Sequence, residues 1–344
     1  MNYQQLEGLL TFHKNFANRH DLKIIAGTSY QKNDYEYMGM WAHGFTTDAF
    51  KYYNMGAAST IDAIATARSV KKNLSFFTRA EYVLLDKYII NASLRADGAS
   101  NFGADNKWGY FPSVSLAWQL GDEKFMNFIK PAFSRLKLRA SYGTSGNDGI
   151  GNYKSLRMYS FENVFLGGTD VVKGMYPSNA GNPLLRWETT SQIDLGFDAS
   201  ILNNKLEITF DWYNKKTTDL LNEINISSST GGLTTTTGNS GSLQNRGWEL
   251  YIKYNAITKK DFRWQTTLNV SQNKNKVLSV ESPTYYTVRP HGTYNYEEYM
   301  QIKEGLPLSS IYGYVWDGII QQGETYTPQP KAQPGDPKFK DPDG

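Results

Sequence analysis

Four histidines are the first place to look for chemistry in this 344-residue chain: His13, His20, His43 and His291. None lies in an H-E-x-x-H run, and no two stand at a spacing that puts both imidazoles on one metal ion. Cysteine is absent, which removes thiolate nucleophiles, thiolate metal ligands and disulfides together. No G-x-S-x-G elbow presents a serine; Gly143-Thr144-Ser145-Gly146 reads as a turn at a strand end. Gly143, Gly146, Gly149 and Gly151 do not separate a strand from a helix, as a dinucleotide loop requires, and read as loop glycines. Asp194 and Asp198 fall on the polar face of one alternating run, where hydration of that face accounts for them better than acid–base work. Asp341-Pro342-Asp343-Gly344 supplies the first two oxygen positions of a D-x-D-x-D calcium loop and none of the rest, so a polar turn is the plainer reading. The candidates for ligand contact are rings in long polar stretches: Trp41, Tyr159, Phe161, Phe165, Tyr176, Tyr285, Tyr286, Tyr294 and Tyr296. Rings stack on the C–H faces of sugars, and long loops carry function, although a loop ring more often packs its own loop or a membrane interface.

The elements that must hold these rings are strands. From Trp187 to Ile201, the residues Ile193, Leu195, Phe197, Ala199 and Ile201 share one face with Trp187, Thr189 and Ser191. Glu188, Thr190, Gln192, Asp194, Gly196, Asp198 and Ser200 share the other. After Asn203-Asn204-Lys205 the alternation resumes in Leu206, Ile208, Phe210 and Trp212, which reads as a hairpin. Equivalent runs occupy 88–96, 114–120, 136–142, 248–256 and 262–270, with less regular ones near 3–16, 22–36 and 74–84. About ten strands result, with a further one near 308–316. Compact links near 17–21, 85–87, 202–205 and 258–261 alternate with long ones near 37–72, 98–111, 146–186, 221–245 and 276–305. The stretch 121–133 fills a short-side position and reads as one small helix ended by Pro131. In an up-and-down meander such alternation leaves one end trimmed and the other end elaborated.

Composition now makes sense. The chain is 14% aromatic and 40% hydrophobic, with a mean hydropathy of −0.54. A sheet with one apolar and one polar face is either a soluble sandwich or a membrane barrel with apolar residues toward lipid and a wet lumen. The runs are longer than the ~5–6 residues of soluble strands and match the ~9–11 of a tilted spanning strand. Their apolar faces often begin or end in a ring (Trp187, Trp212, Trp248, Tyr254, Phe262, Trp264), as interfacial girdles require. The expected fold class is therefore all-β: an antiparallel up-and-down transmembrane β-barrel in the outer membrane. Ten or eleven strands must close or join others, because an open edge in hydrocarbon costs several kcal/mol per unpaired group. The lack of a visible signal peptide and an ending in a turn-rich run favour part of a larger barrel. A net charge of +3 with scattered Lys and Arg excludes a nucleic-acid partner.

Several blocks resemble TonB-dependent outer-membrane transporters of the SusC/RagA type: DKYIINASLRADGASNFG…WGYFPSVSLAWQL (86–120), LKLRASYGTSGN (136–147) and NPLLRWETTSQIDLGFDASILNNKLEITFDWYNKKTTDLL (182–221). NRGWELYIKYN (245–255), EGLPLSSIYGYVWDGI (304–319) and PGDPKFKDPDG (334–344) are similar to the same family. The resemblance implies a 22-stranded barrel, of which residues 1–319 supply partial barrel wall and 320–344 a truncated Pro/Gly/acidic extracellular loop. It implies a plug domain absent here, import of oligosaccharides or peptides driven through TonB, and a SusD-like surface lipoprotein as partner. It also implies that the intact acidic loop holds calcium, through Asp341 and Asp343. No enzyme activity is expected. The rival readings are a small barrel hydrolase using His43 with Asp48, and a soluble carbohydrate-binding β-protein.

Overall fold

The computed structural model describes all residues except 18, 131, 168–169, 228, 230–231, 282–283, 287–299 and 341–344. Ten strands form one antiparallel sheet whose spatial order follows the chain. They are β1 (Asn2–Phe16), β2 (His20–His43), β3 (Thr60–Leu84), β4 (Tyr88–Ala99), β5 (Trp108–Trp118), β6 (Phe133–Asn147), β7 (Glu188–Ile201), β8 (Leu206–Thr218), β9 (Ser242–Thr258) and β10 (Arg263–Ser279). Links of a few residues, or the 119–132 segment, join the odd strands to the even ones that follow. The returns are long and carry ribbons of their own, such as Met158–Leu166 paired with Asp170–Asn179 and Leu221–Asn225 paired with Thr235–Asn239. Among the described residues no helix is long and apolar enough to cross a membrane.

Period two in the sequence becomes rows across the sheet. Tyr82, Ile90, Leu116, Ala140, Leu195, Trp212 and Trp248 are successive register partners from β3 to β9. The neighbouring row on the other face runs Glu81, Asn91, Ser115, Ser141, Asp194, Tyr213 and Gly247. A one-residue slip anywhere would exchange the two faces, so the apolar rows fix the register. Among the described residues nothing covers the apolar side: Leu116 is 51% and Leu195 49% exposed, and Ile193 is exposed beside them. Phe197, Leu250 and Ile252 are shielded only partly. A soluble protein of this size does not leave such a face to water. The soluble sandwich is thereby excluded; hydrocarbon is the solvent that this face fits.

Three expectations about the elements need correcting. The stretch near 308–316 is not one strand; only Ser310–Ile311 and Trp316–Ile319 are extended there. β2 and β3 are far longer than their alternation suggested, taking up much of the stretch read as a loop at 37–72. The 121–133 segment is two short 3-10 helices, Leu120–Asp122 and Lys124–Ile129, rather than one helix. Glu123 between them ties the trimmed end together. Its carboxylate accepts from the Tyr88 hydroxyl (2.6 Å), the Trp118 indole N–H (3.2 Å) and the Lys87 ammonium (3.3 Å). Those three donors, Tyr88 foremost, hold the Glu123 carboxyl below the usual glutamate range.

Contacts divide the chain into two compact units, Met1–Lys274 and Asn275–Gly344. The second contains the short ribbon Trp316–Ile319 with Pro337–Phe339. Within it, Lys338 donates to Glu324 at 2.6 Å.

Candidate functional site

The elaborated end of the sheet is organised by Asn182 to Trp187. Asn182 Oδ1 accepts from the Leu184 N–H (3.0 Å), an Asx-type turn, while its Nδ2 donates to the Thr237 carbonyl at 3.1 Å. Asn239 exchanges two bonds with the Arg186 main chain, at 2.9 and 2.8 Å, and Arg186 Nη2 reaches Asp219 at 2.6 Å. Leu185, 0% exposed, packs with Ala99 and Phe102 as a small core under these loops. Trp187 does not extend the lipid-facing row as its place in the alternation suggested. Its indole N–H donates to the Lys107 carbonyl (2.9 Å), and its ring meets Phe102 at 5.1 Å and Phe111 at 5.4 Å. The chain turns just before β7, which carries this ring to the inner side. Phe111 needs space there, and Gly146 grants it: a Cβ at that position would strike the Phe111 ring.

A second loop folds back over the inner side of β3. Asp148 accepts from Lys71 Nζ (2.8 Å) and Asn73 Nδ2 (3.1 Å), and Asn101 Nδ2 donates to the carbonyls of Asp148 and Ile150, both at 3.2 Å. Asn152 bonds Ser69, and the Tyr153 hydroxyl accepts from the Val70 N–H at 2.9 Å. Tyr153 adopts a φ of 65° to do so, a left-handed conformation uncommon for an aromatic residue. These anchors were not read from the sequence, because nothing local marks Asp148 or Tyr153 as partners of β3.

The inner face below is charged but compensated. Arg139 makes two bonds to Asp198, each 3.1 Å, and reaches Asp211 at 2.8 Å. Gly196 lies between them, where any side chain would collide with Asp211 and the Phe210 carbonyl. Asp194 accepts from Ser141 (3.0 Å) and Gln192 (2.6 Å). Both carboxylates thus belong to a polar, hydrogen-bonded wall rather than to an acid–base pair.

The nine candidate rings separate. Tyr159, Phe161 and Phe165 share one face of the 158–179 ribbon with Met175, and Phe161 is 71% exposed; Tyr176 lies on the other face, opposite Ser160. Trp41 is half-exposed near the end of β2, in line with Tyr35 and Tyr37. Tyr285 and Tyr286 stand in a three-residue strand paired with Met300–Ile302. Tyr294, Tyr296, Asp341 and Asp343 lie outside the described residues. His43 pairs with Asp62 at 2.8 Å rather than with Asp48, and the Ser59 hydroxyl meets the His43 main-chain oxygen (3.5 Å), not its ring. No serine hydrolase arrangement is assembled at that point.

A one-layer sheet with an uncovered apolar face, a charged inner wall, trimmed turns at one end and anchored loops at the other defines an outer-membrane β-barrel. The family described as TonB dependent receptor-like, beta-barrel, matches residues 2–333, and the chain belongs to that family. TonB-dependent receptor P3 of Formosa agariphila is 34% identical across 98% of this chain and 34% of the receptor. TonB-dependent receptor SusC of Bacteroides thetaiotaomicron is 35% identical across 62% of this chain and 22% of SusC. A solved RagAB peptide transporter structure is similar, with a TM-score of 0.80 and 25% identity over 92% of this chain and 34% of that one. The chain spans about a third of the length of the Formosa agariphila receptors it matches.

Proposed function

We propose that this chain is barrel wall and loop of a TonB-dependent importer that takes up oligomeric nutrients, oligosaccharides or peptides, across the outer membrane. The reading is carried by one observation: the sheet has a lipid-type face and a hydrated face, and its loops at one end are tied down over the hydrated side. Transport, not chemistry, is what such a wall supports. Residues 1–319 serve as wall with its connections and 320–344 as an external loop, where Asp341 and Asp343 contribute to a calcium site. The partner is a SusD-like surface lipoprotein that closes the mouth, while TonB acts through a plug domain. Trp41, Tyr159, Phe161, Phe165, Tyr176, Tyr285, Tyr286, Tyr294 and Tyr296 supply the stacking surface for the solute. The peptide importer RagAB supports the peptide alternative by likeness of fold and sequence.

Gene disruption tests the proposal. Cells lacking this protein should lose uptake of fluorescent oligosaccharides and peptides too large for general porins, and removal of TonB should give the same loss. Unchanged uptake in both strains contradicts it.

A further inference from the structure

The β2–β3 hairpin carries a surface that barrel closure does not use. β3 pairs with β2 along its length but with β4 only from Asn73 to Leu84, so residues 60–72 form one side of a two-stranded projection. Hydrogen bonds fix which main-chain groups face that side. The Val70 N–H donates to the Tyr153 hydroxyl (2.9 Å), the Lys72 N–H donates to Ser100 Oγ (2.9 Å), and the Lys72 carbonyl accepts from the Ser100 N–H (3.0 Å). Successive residues of a paired strand point their amides in opposite directions, so the N–H and C=O of Ile64, Thr66 and Arg68 face the same side as those of Val70 and Lys72. The chain closes its own edge at Val70 and Lys72 and, among the described residues, leaves it open from Ile64 to Arg68.

Between Asp62 and Arg68 the strand reads Ala63-Ile64-Ala65-Thr66-Ala67, without proline or charge, the usual guards of an edge strand; the Arg68 guanidinium at the end of the opening is turned back to Asp34 on β2. Its faces are shaped as well. Tyr37 and Trp41 on β2 stand opposite Ala67 and Ala63, with Gly39 opposite Ala65. A methyl group at Gly39 would meet both the Tyr37 hydroxyl and the Trp41 ring, so the two rings converge over the glycine. The alanines leave a trough beside those rings. A large side chain from a strand laid along β3 would lie in that trough and reach them. On the reverse face Ile64 is 65% exposed.

We propose that this edge captures an extended peptide by strand addition. The peptide's backbone bonds to Ile64, Thr66 and Arg68, and alternate large side chains lie across Ala63, Ala65 and Ala67 against Tyr37 and Trp41. An oligosaccharide has no alternating amide donors and carbonyl acceptors with which to satisfy the edge, so the occupant is polypeptide. The inference rests on the importer reading for its source, which is peptide cargo.

The test uses the intact outer-membrane protein in detergent and a fluorescein-labelled peptide of about nine residues alternating Phe with Thr. Saturable binding to the wild type is expected. Thr66→Pro removes one outward N–H while sparing the ladder to β2, and should weaken binding about tenfold or more; Thr66→Val should bind as the wild type does. The same peptide N-methylated at alternate residues should also lose about tenfold or more, on unaltered protein, which answers any disturbance caused by the proline. Equal binding of methylated and unmethylated peptides overturns the proposal. So does absence of binding, or self-association abolished by Thr66→Pro without peptide binding, which would make a second copy the occupant. Uptake is measured separately: a protein that imports yet fails this titration loses the edge site but keeps the importer reading.

Discussion

Arg139 illustrates what single side chains do on the inner wall. It stands between Asp198 and Asp211, and removing it leaves two carboxylates facing each other around Gly196. Because the site is partly open to water, the expected cost of Arg139→Ala is about 1–2 kcal/mol, well under that of a dry pair, measured by denaturant unfolding from detergent. Asp198→Asn in the Arg139→Ala background should recover part of it. Glu123 behaves differently. Its carboxyl sits below the ordinary range because Tyr88, Trp118 and Lys87 donate to the charged form. A lowered acid contributes stability that is fully present above its unfolded pKa, about 4.3, and is lost as pH falls through the folded value. The Trp118 signal should therefore hold steady from neutral pH down to that region and change only below it, whereas Glu123→Gln should remove the acid transition. A transition at ordinary glutamate pH in the wild type would refute the assignment. Asp194 and Asp198 were legible as wall residues from parity alone. The partners of Glu123 were not, since Tyr88 and Trp118 read only as apolar-face members of the alternating runs at 88–96 and 114–120.

At the scale of elements, alternation located all ten strands of the sheet, including the β7–β8 hairpin at Asn203-Asn204-Lys205. It understated β2 and β3, whose outer halves carry mixed faces: Met38 and Met40 share a face with Glu36, and Trp41 one with Tyr35. Beyond the bilayer both faces of a hairpin meet water, so the two-sided pattern that marks a strand disappears. Trp187 misled for a related reason, since parity continues through a residue even where the backbone turns. The glycine beneath Phe111 is the sharpest element-level test. Gly146→Ala should destabilise by about 1–3 kcal/mol through overpacking, and Phe111→Ala added to it should remove most of that increment while costing its own contacts. A double-mutant cycle with no coupling would contradict the contact.

For the whole molecule, the governing fact is that the sheet is one layer thick. β1 and β10 flank it in the sheet order, and hydrocarbon obliges such rims to be paired, with each other or with further strands. Alternation, run length and the pattern of links pointed to this architecture, and it accounts for the composition: half of every strand is polar, so the mean hydropathy falls below zero although the surface is greasy. The solute was not foretold, because the loops that choose it have no period to read. The absence of cysteine makes the decisive measurement direct. Single cysteines placed in turn at Gln192, Ile193, Asp194, Leu195 and Phe197, spin-labelled and reconstituted into lipid bilayers, report whether each position meets membrane oxygen or an aqueous nickel complex. Labels at 193, 195 and 197 should favour oxygen, and those at 192 and 194 the nickel complex, in strict alternation. Uniform exposure to nickel, or exclusion of both reagents from 193, 195 and 197, would contradict a lipid-facing wall.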